Sequence, residues 1–310
     1  MNIKTKGYLL GAIAATTYGM NPLFALPLYK VGMNPDSVLF FRYLFAMPLL
    51  GAMLKVRGRS FKIQRNEILP LMVMGVLAAL SSLTLFESYN YMDAGIASTI
   101  LFVYPIMVAL GMTFLFKEKL KIQTVLCIVM ALGGIGLLYK SDDGSTLSLT
   151  GTMLVLASAL TYAIYIVGIN QSALKNMATL KVTFYILLFG LSVFIFRFLC
   201  RESLLVPDSS QWYLWGNLLA LAVFPTAISF LCTTSAIQYI GSTPTAILGA
   251  LEPATAIFFG ITVFGETLTF RESIGLTMII IAVSFVIAGG SITKPLIRFR
   301  KLFPRLRKRD

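Results

Sequence analysis

Apolar runs of about 20 residues follow one another along nearly the whole chain, each long enough for a helix to cross a hydrocarbon layer about 30 Å thick. Ten such helices are expected, at 7–29, 36–54, 67–91, 95–116, 122–139, 150–170, 180–199, 211–234, 243–264 and 272–290. The runs are too long and too continuous for the alternating strands of a membrane barrel. With 57% hydrophobic and only 13% charged residues in 310, the chain departs from soluble domains, where about a quarter are charged. The reading is an all-α membrane protein. Its first apolar run follows Lys4 and Lys6, is longer than the apolar region of a signal peptide, and lacks a convincing cleavage site; it is read as a spanning helix.

One helix is written twice. LFVYPIMVALGMTFLFKEKL (101–120) and GALEPATAIFFGITVFGETL (249–268) carry proline and glutamate at the same mutual spacing. Pro105 and Glu118 match Pro253 and Glu266 at one offset of 148 (253 − 105, 266 − 118), as do Tyr91 with Tyr239 and Phe116 with Phe264. Gly7, Leu10, Ala15, Thr17 and Tyr18 match Gly151, Leu154, Ala159, Thr161 and Tyr162 at an offset of 144 (151 − 7). The chain therefore reads as two five-helix halves, 1–140 and 149–290, followed by a basic tail, 291–310. An odd number of crossings per half inverts the second relative to the first. Inverted repeats place a site near the bilayer midplane and let two related packings open to opposite sides.

The net charge of +13 is distributed along the chain in a way that argues for topology and against nucleic-acid binding. With the N-terminus inside, most of the 26 lysines and arginines fall in cytoplasmic segments, including 55–65, 117–121 and the tail RFRKLFPRLRKRD. Both termini are then cytoplasmic in a multi-pass cell-membrane protein, and the tail touches anionic headgroups. There is no histidine, so the commonest metal ligand and general base is missing. Cys127, Cys200 and Cys232 lie in apolar runs at no metal-ligand spacing. No metal site, cofactor or enzyme activity is expected, and no P-loop supports a nucleotide-driven pump.

Two five-helix halves carrying “YP…FLFKEKL” and “LEP…VFGETL” resemble the EamA-type members of the drug/metabolite transporter superfamily, over about residues 7–290. The resemblance implies a ten-helix basket with a central cavity and transport, often export, of small metabolites such as amino acids.

Polar groups at membrane depth are costly, and each is a functional candidate. Glu252, between Leu251 and Pro253, has no cation nearby in sequence; it is read as a proton-coupling group or a partner for a substrate amine. The structural alternative is an acid bonded to a carbonyl left free by the proline. Its counterpart in the first half is Tyr104. Arg42 is read as neutralising a substrate carboxylate or pairing with Glu87, against snorkelling to headgroups. Glu87, Asn90 and Tyr91 stand at i, i+3 and i+4 on one expected helical face, a cavity mouth or an interhelical clasp. Asn21 lies where Pro22 and Pro27 weaken a helix, which either breaks toward a ligand or merely kinks. Tyr18, Tyr162 and Tyr165 offer rings and hydroxyls to an amphipathic metabolite, or pack between helices. Pro22, Pro105 and Pro253 are the expected kinks. Glu118 and Glu266 read as structural helix ends beside Lys117, Lys119, Lys121 and Arg271.

The leading reading is a secondary active transporter, an exporter of a small metabolite such as an amino acid, working by alternating access and driven by the substrate gradient or by a proton gradient. The alternative is a membrane receptor or structural subunit that recruits a partner through its basic tail. Deleting 298–310 separates them. The carrier reading expects normal insertion with transport retained, measured in proteoliposomes; lost function with normal insertion favours the recruiting role.

Overall fold

The computed structural model describes residues 3–116, 148–200, 203–241, 251–265 and 273–281, with scattered positions over 126–137, 245–249 and 267–271. Among the described residues every regular element is helical. They are α1 (Ile3–Gly19), α2 (Asn21–Lys30), α3 (Pro35–Val56), α4 (Arg65–Ser88), α5 (Ala94–Leu101), α6 (Tyr104–Phe116), α7 (Leu149–Gln171), α8 (Thr179–Cys200), α9 (Trp212–Leu221), α10 (Ser229–Ile240) and α11 (Leu251–Phe264). A π-helical turn, Ala222–Ile228, joins α9 to α10. Among the described residues six helical segments are long and apolar enough to cross a membrane: Ile3–Lys30, Pro35–Val56, Arg65–Ser88, Leu149–Gln171, Thr179–Cys200 and Trp212–Ile240. Shorter apolar helices cover Ala94–Val108 and Leu251–Phe264. Most of the expected helix 122–139, the start of the one at 243–264, the second half of the one at 272–290, Glu118, Glu266, Cys127 and the basic tail lie outside the described residues.

Proline decides where these helices break. A proline has no N–H, so the carbonyl four residues earlier loses its donor. The expected helix 7–29 divides at Met20, two residues before Pro22, whereas Pro27 stays inside α2. The expected helix 95–116 divides at Phe102 and Val103; Leu101, four residues before Pro105, ends α5, and Pro105 is the second residue of α6. A tight turn bridges the gap, with Val103 N–H bonding to Ile100 O at 3.0 Å and Ile106 N–H to Val103 O at 2.9 Å. The same break recurs before Pro253, where Glu252 N–H bonds to Gly249 O at 2.9 Å and α11 starts at Leu251. Pro105 and Pro253 therefore start helices rather than bend them.

Glycine and serine set how closely the segments approach, as expected where lipid supplies no hydrophobic drive between helices. Gly7 and Gly11 let α1 lie against Tyr239, Ile240 and Leu248, and Gly19 meets the Glu252 carbonyl, where a Cβ would come within 2.5 Å. On the other side α4 is gripped between α7 and α8. Ser81 and Ser158 exchange hydroxyl-to-carbonyl bonds across α4 and α7, at 3.2 and 2.7 Å. Gly75 faces the α8 backbone, so that a Cβ would come within 2.8 Å of Ile186 O.

One end of the bundle is tied by polar contacts. Asn34 caps α3 by accepting from Ser37 N–H at 2.9 Å, and its amide donates to Ser203 O at 3.2 Å. Asp36 takes a bidentate pair from Arg197 of α8 at 2.5 and 3.0 Å. Exposed Trp212 and Tyr213 begin α9 at this end, as an interfacial aromatic belt would.

Gly75→Ala is expected to destabilise by about 1–3 kcal/mol, because a Cβ has no room against a fixed backbone. Gly111, with nothing within 4 Å of its built Cβ, should accept alanine without loss. Thermal unfolding of the two variants in detergent checks the pair. Equal melting temperatures would remove the close-approach argument.

Candidate functional site

The π turn builds the first wall. Pro225 leaves the Leu221 carbonyl without its donor, and the Thr226 hydroxyl takes the place, donating to Leu221 O at 2.7 Å. That fixes the Thr226 hydroxyl oxygen as an acceptor facing α3. Arg42, fully buried in the middle of α3, donates its Nε–H to that oxygen. A second guanidinium nitrogen donates to the Asn21 side-chain oxygen at 3.0 Å and the third to the Pro225 carbonyl at 3.0 Å. Asn21 is the first residue of α2, placed at the break before Pro22. The cation also lies over two ring faces, 5.3 Å from the Phe86 centroid and 5.9 Å from that of Tyr18.

The arginine is thus held by neutral oxygens and aromatic faces. A guanidinium has five N–H groups, and these three bonds leave two for a further acceptor. The Asn21 side-chain nitrogen is buried with no partner, a further donor beside the same cation. Snorkelling is overturned, since Arg42 is 0% exposed. Of its two other readings, the expected partner Glu87 gives way to Asn21, Thr226 and Pro225 as the groups that fix the guanidinium.

Tyr18 begins an aromatic interior. Its ring stacks on Tyr162 at 6.0 Å, Tyr162 meets Tyr104 edge-on at 4.7 Å and stacks on Tyr165 at 5.9 Å, and Phe230 closes against Tyr18 and Tyr165. Tyr104 stands at the start of α6 with its hydroxyl against Gly249, where a Cβ would come within 2.1 Å. Glu252 faces this cluster from the first turn of α11. It is 5% exposed, and one carboxyl oxygen has no hydrogen-bond partner. The sequence reading put Glu252 in mid-helix. The break before Leu251 puts it instead in the first turn of α11.

The structure therefore brings Tyr18, Asn21, Arg42, Tyr104, Tyr162, Tyr165 and Glu252 into one buried region built from α1, α2, α3, α6, α7 and α11. Tyr18 lies within electrostatic reach of both charged groups. It does not bring in Asn90 and Tyr91. Helix α4 ends at Ser88, so these two lie in the following turn, exposed, and the single helical face drawn through Glu87, Asn90 and Tyr91 does not exist. Glu87 is half-buried in the last turn of α4. Tyr91 instead packs on Gly151 at the start of α7.

Sequence reasoning missed Thr226, Phe86, Phe230 and Tyr89, whose buried ring packs on Phe86. A signal for Thr226 was present: a hydroxyl next to a proline inside an apolar run. Cys200 is exposed and Cys232 buried, neither in a disulfide, and among the described residues no cluster of histidine, cysteine or acidic side chains could hold a metal.

Comparison with known proteins matches this arrangement to transporters. The EamA-like transporter family matches the chain twice, over residues 5–140 and 149–288. An uncharacterized transporter of Archaeoglobus fulgidus is 28% identical over 255 residues, covering 82% of this chain and 87% of its own. The threonine/homoserine exporter RhtA of Escherichia coli (strain K12) is 28% identical over 222 residues, covering 70% of each chain. A solved crystal structure shares the fold with a TM-score of 0.69 at 17% identity, over 91% of this chain and 96% of that one. With a buried arginine, a buried carboxyl and broken apolar helices on one side and two family matches spanning nearly the whole chain on the other, this multi-pass membrane protein belongs to the EamA-like transporter family of the drug/metabolite transporter superfamily.

Proposed function

We propose that the protein is a secondary active exporter of a small metabolite carrying a carboxylate, with an amino acid the leading substrate, and that it works by alternating access of two inverted five-helix halves, 1–140 and 149–290. Ten helices cross the cell membrane with both termini in the cytoplasm, and the tail 291–310 follows the last. The observation that carries the reading is a buried guanidinium and a buried carboxyl in one aromatic interior: Arg42, whose three bonds use three of its five N–H groups, and Glu252, one oxygen of which has no partner. A buried charge left partly unpaired costs free energy that a ligand of the opposite charge recovers.

Arg42 takes the carboxylate, because its three bonds use three of its five N–H groups and the adjoining Asn21 amide nitrogen has no partner. Glu252 takes the substrate ammonium or a proton on the other side of Tyr18. The rings of Tyr18, Tyr104, Tyr162 and Tyr165 wall the apolar part, as in most small-molecule sites. Similarity to an exporter of threonine and homoserine supports the amino-acid class. Because α6 and α11 each start afresh at a proline, either can swing without tearing a continuous hydrogen-bond ladder, which is what opening to alternate sides requires.

Labelled amino acids in counterflow into proteoliposomes, with and without an imposed pH gradient, test the proposal. Saturable exchange of at least one is expected. Glu252→Gln should abolish transport while leaving folded yield intact, and unchanged transport would sink its assigned role. Arg42→Lys keeps the charge but loses the planar fork; transport should fall by about ten-fold or more, since one charge-assisted hydrogen bond is worth about 1.5–3 kcal/mol. Well-folded protein that moves no amino acid, in either arm, would turn the carboxylate-and-amine assignment down.

A further inference from the structure

A cavity of about 640 Å³ opens at the opposite end of the bundle from the Asp36–Arg197 pair, lined by Lys6, Arg57, Arg59 and Lys181 together with Thr179 and Gln238. Its side chains come from α1, the end of α3, the start of α8 and α10. Among the described residues no aspartate or glutamate lines it. Lys6 and Tyr18 are 12 residues apart on α1 (18 − 6), about three turns, and the Ser229 hydroxyl donates to Ala14 O at 3.0 Å between the two regions.

Local chemistry builds this cavity. Gly58 adopts φ +61° past the end of α3, and the chain closes on itself with Gly58 N–H to Lys55 O and Arg59 N–H to Leu54 O, both 3.0 Å. This left-handed glycine turn sets Arg57 and Arg59 on either side of the helix end. Lys181 is held in the first turn of α8 and donates to the Lys62 carbonyl. Gln238 is pinned, donating to Met177 O at 2.9 Å and accepting from the Thr179 hydroxyl at 2.6 Å. Lys6 lies over the Tyr239 ring at 5.5 Å. The N-terminal turn of α8, residues 179–181, faces the same space. Four cations around one concavity repel one another unless an anion sits among them, and a helix N-terminus adds to the same field.

We infer that this cavity is a binding site for a phosphate group, one tetrahedral anion contacted by Arg57, Arg59, Lys6 and Lys181. Arginine forks and lysine ammonium groups together suit the several oxygens of a phosphate, and the volume exceeds what a single carboxylate would need. The phosphate belongs either to an anionic lipid headgroup at the membrane surface or to a soluble phosphate. The site is separate from the Arg42–Glu252 interior and holds whichever substrate that interior takes.

Thermal unfolding of the full-length protein in nanodiscs separates the two sources. In one arm, nanodiscs of neutral phosphatidylcholine are titrated with inorganic phosphate at constant ionic strength. In the other, phosphatidylglycerol replaces part of the phosphatidylcholine with no phosphate added. A saturable rise of about 3 °C is expected in at least one arm once the anion is at roughly ten times its half-saturating level. The triple variant Arg57→Gln/Arg59→Gln/Lys181→Gln should lose that rise. In neutral lipid without phosphate it should melt at or above the wild-type temperature, since like-charge repulsion is relieved; a lower temperature there would overturn the proposal. Lys6→Gln alone should weaken the rise, and a matched loss of three charges in the tail, Arg305→Gln/Arg307→Gln/Lys308→Gln, should leave it whole. An equal response in wild type and triple variant, an equal loss in the tail variant, or no rise in either arm would each overturn the site.

Discussion

A guanidinium in the middle of a membrane helix costs several kcal/mol unless neighbouring groups replace its water, and the rest of the interior is arranged around Arg42 for that reason. A regular helix offers it nothing, because its carbonyls are already spent on the i to i+4 ladder. The chain answers with two interrupted segments. The π turn at 222–228 presents the Pro225 carbonyl and the Thr226 hydroxyl, and the break at Met20 presents Asn21. Phe86 and Tyr18 cover the faces of the cation, where the ring quadrupole is attractive. Four separate elements, α1, α2, α4 and the π turn, are thereby tied to α3 by one side chain.

The carboxyl side follows a parallel logic with a different backbone device. Glu252 sits at a helix start, in the first turn of α11 after the break before Pro253. Tyr104 occupies the corresponding helix start at α6, where a phenol replaces the acid. One half of the chain thus contributes a ring and the other a carboxyl at matching breaks. Gly19 and Gly249 make this possible, because the Glu252 carbonyl and the Tyr104 hydroxyl fill the space a side chain would need. The α4 region behaves otherwise. Its serine clasp to α7 and glycine contact to α8 form a tightly packed block with no break in any of the three helices.

Much of the site was legible through one local rule. Asn21, Tyr104 and Glu252 each precede a proline, and Thr226 follows one. A residue before proline is pushed away from helical geometry, so polar residues beside prolines in apolar runs mark helix breaks. Arg42 was legible for a separate reason, the cost of a charge at membrane depth. What failed was extrapolation of helical periodicity. Asn90 and Tyr91 fit a face only if α4 continues past Ser88, and apolar composition does not say where a helix stops once the chain reaches the interface. Phe86, Phe230 and Tyr89 could not have been chosen, since nothing local separates a ring that covers a cation from one that faces lipid.

By itself, the sequence determined the helical membrane class, the places where helices break and the buried groups that need partners, because these follow from hydropathy, proline chemistry and the cost of charge, all of which act over a few residues. Only the tertiary structure decided which partners those groups have. Asn21 and Arg42 are 21 residues apart and Arg42 and Thr226 are 184 apart. Each helix is apolar around most of its circumference, so no stripe in the sequence says which side turns inward. That choice is made by the packing of small residues and by the few oxygens able to replace water around a buried cation.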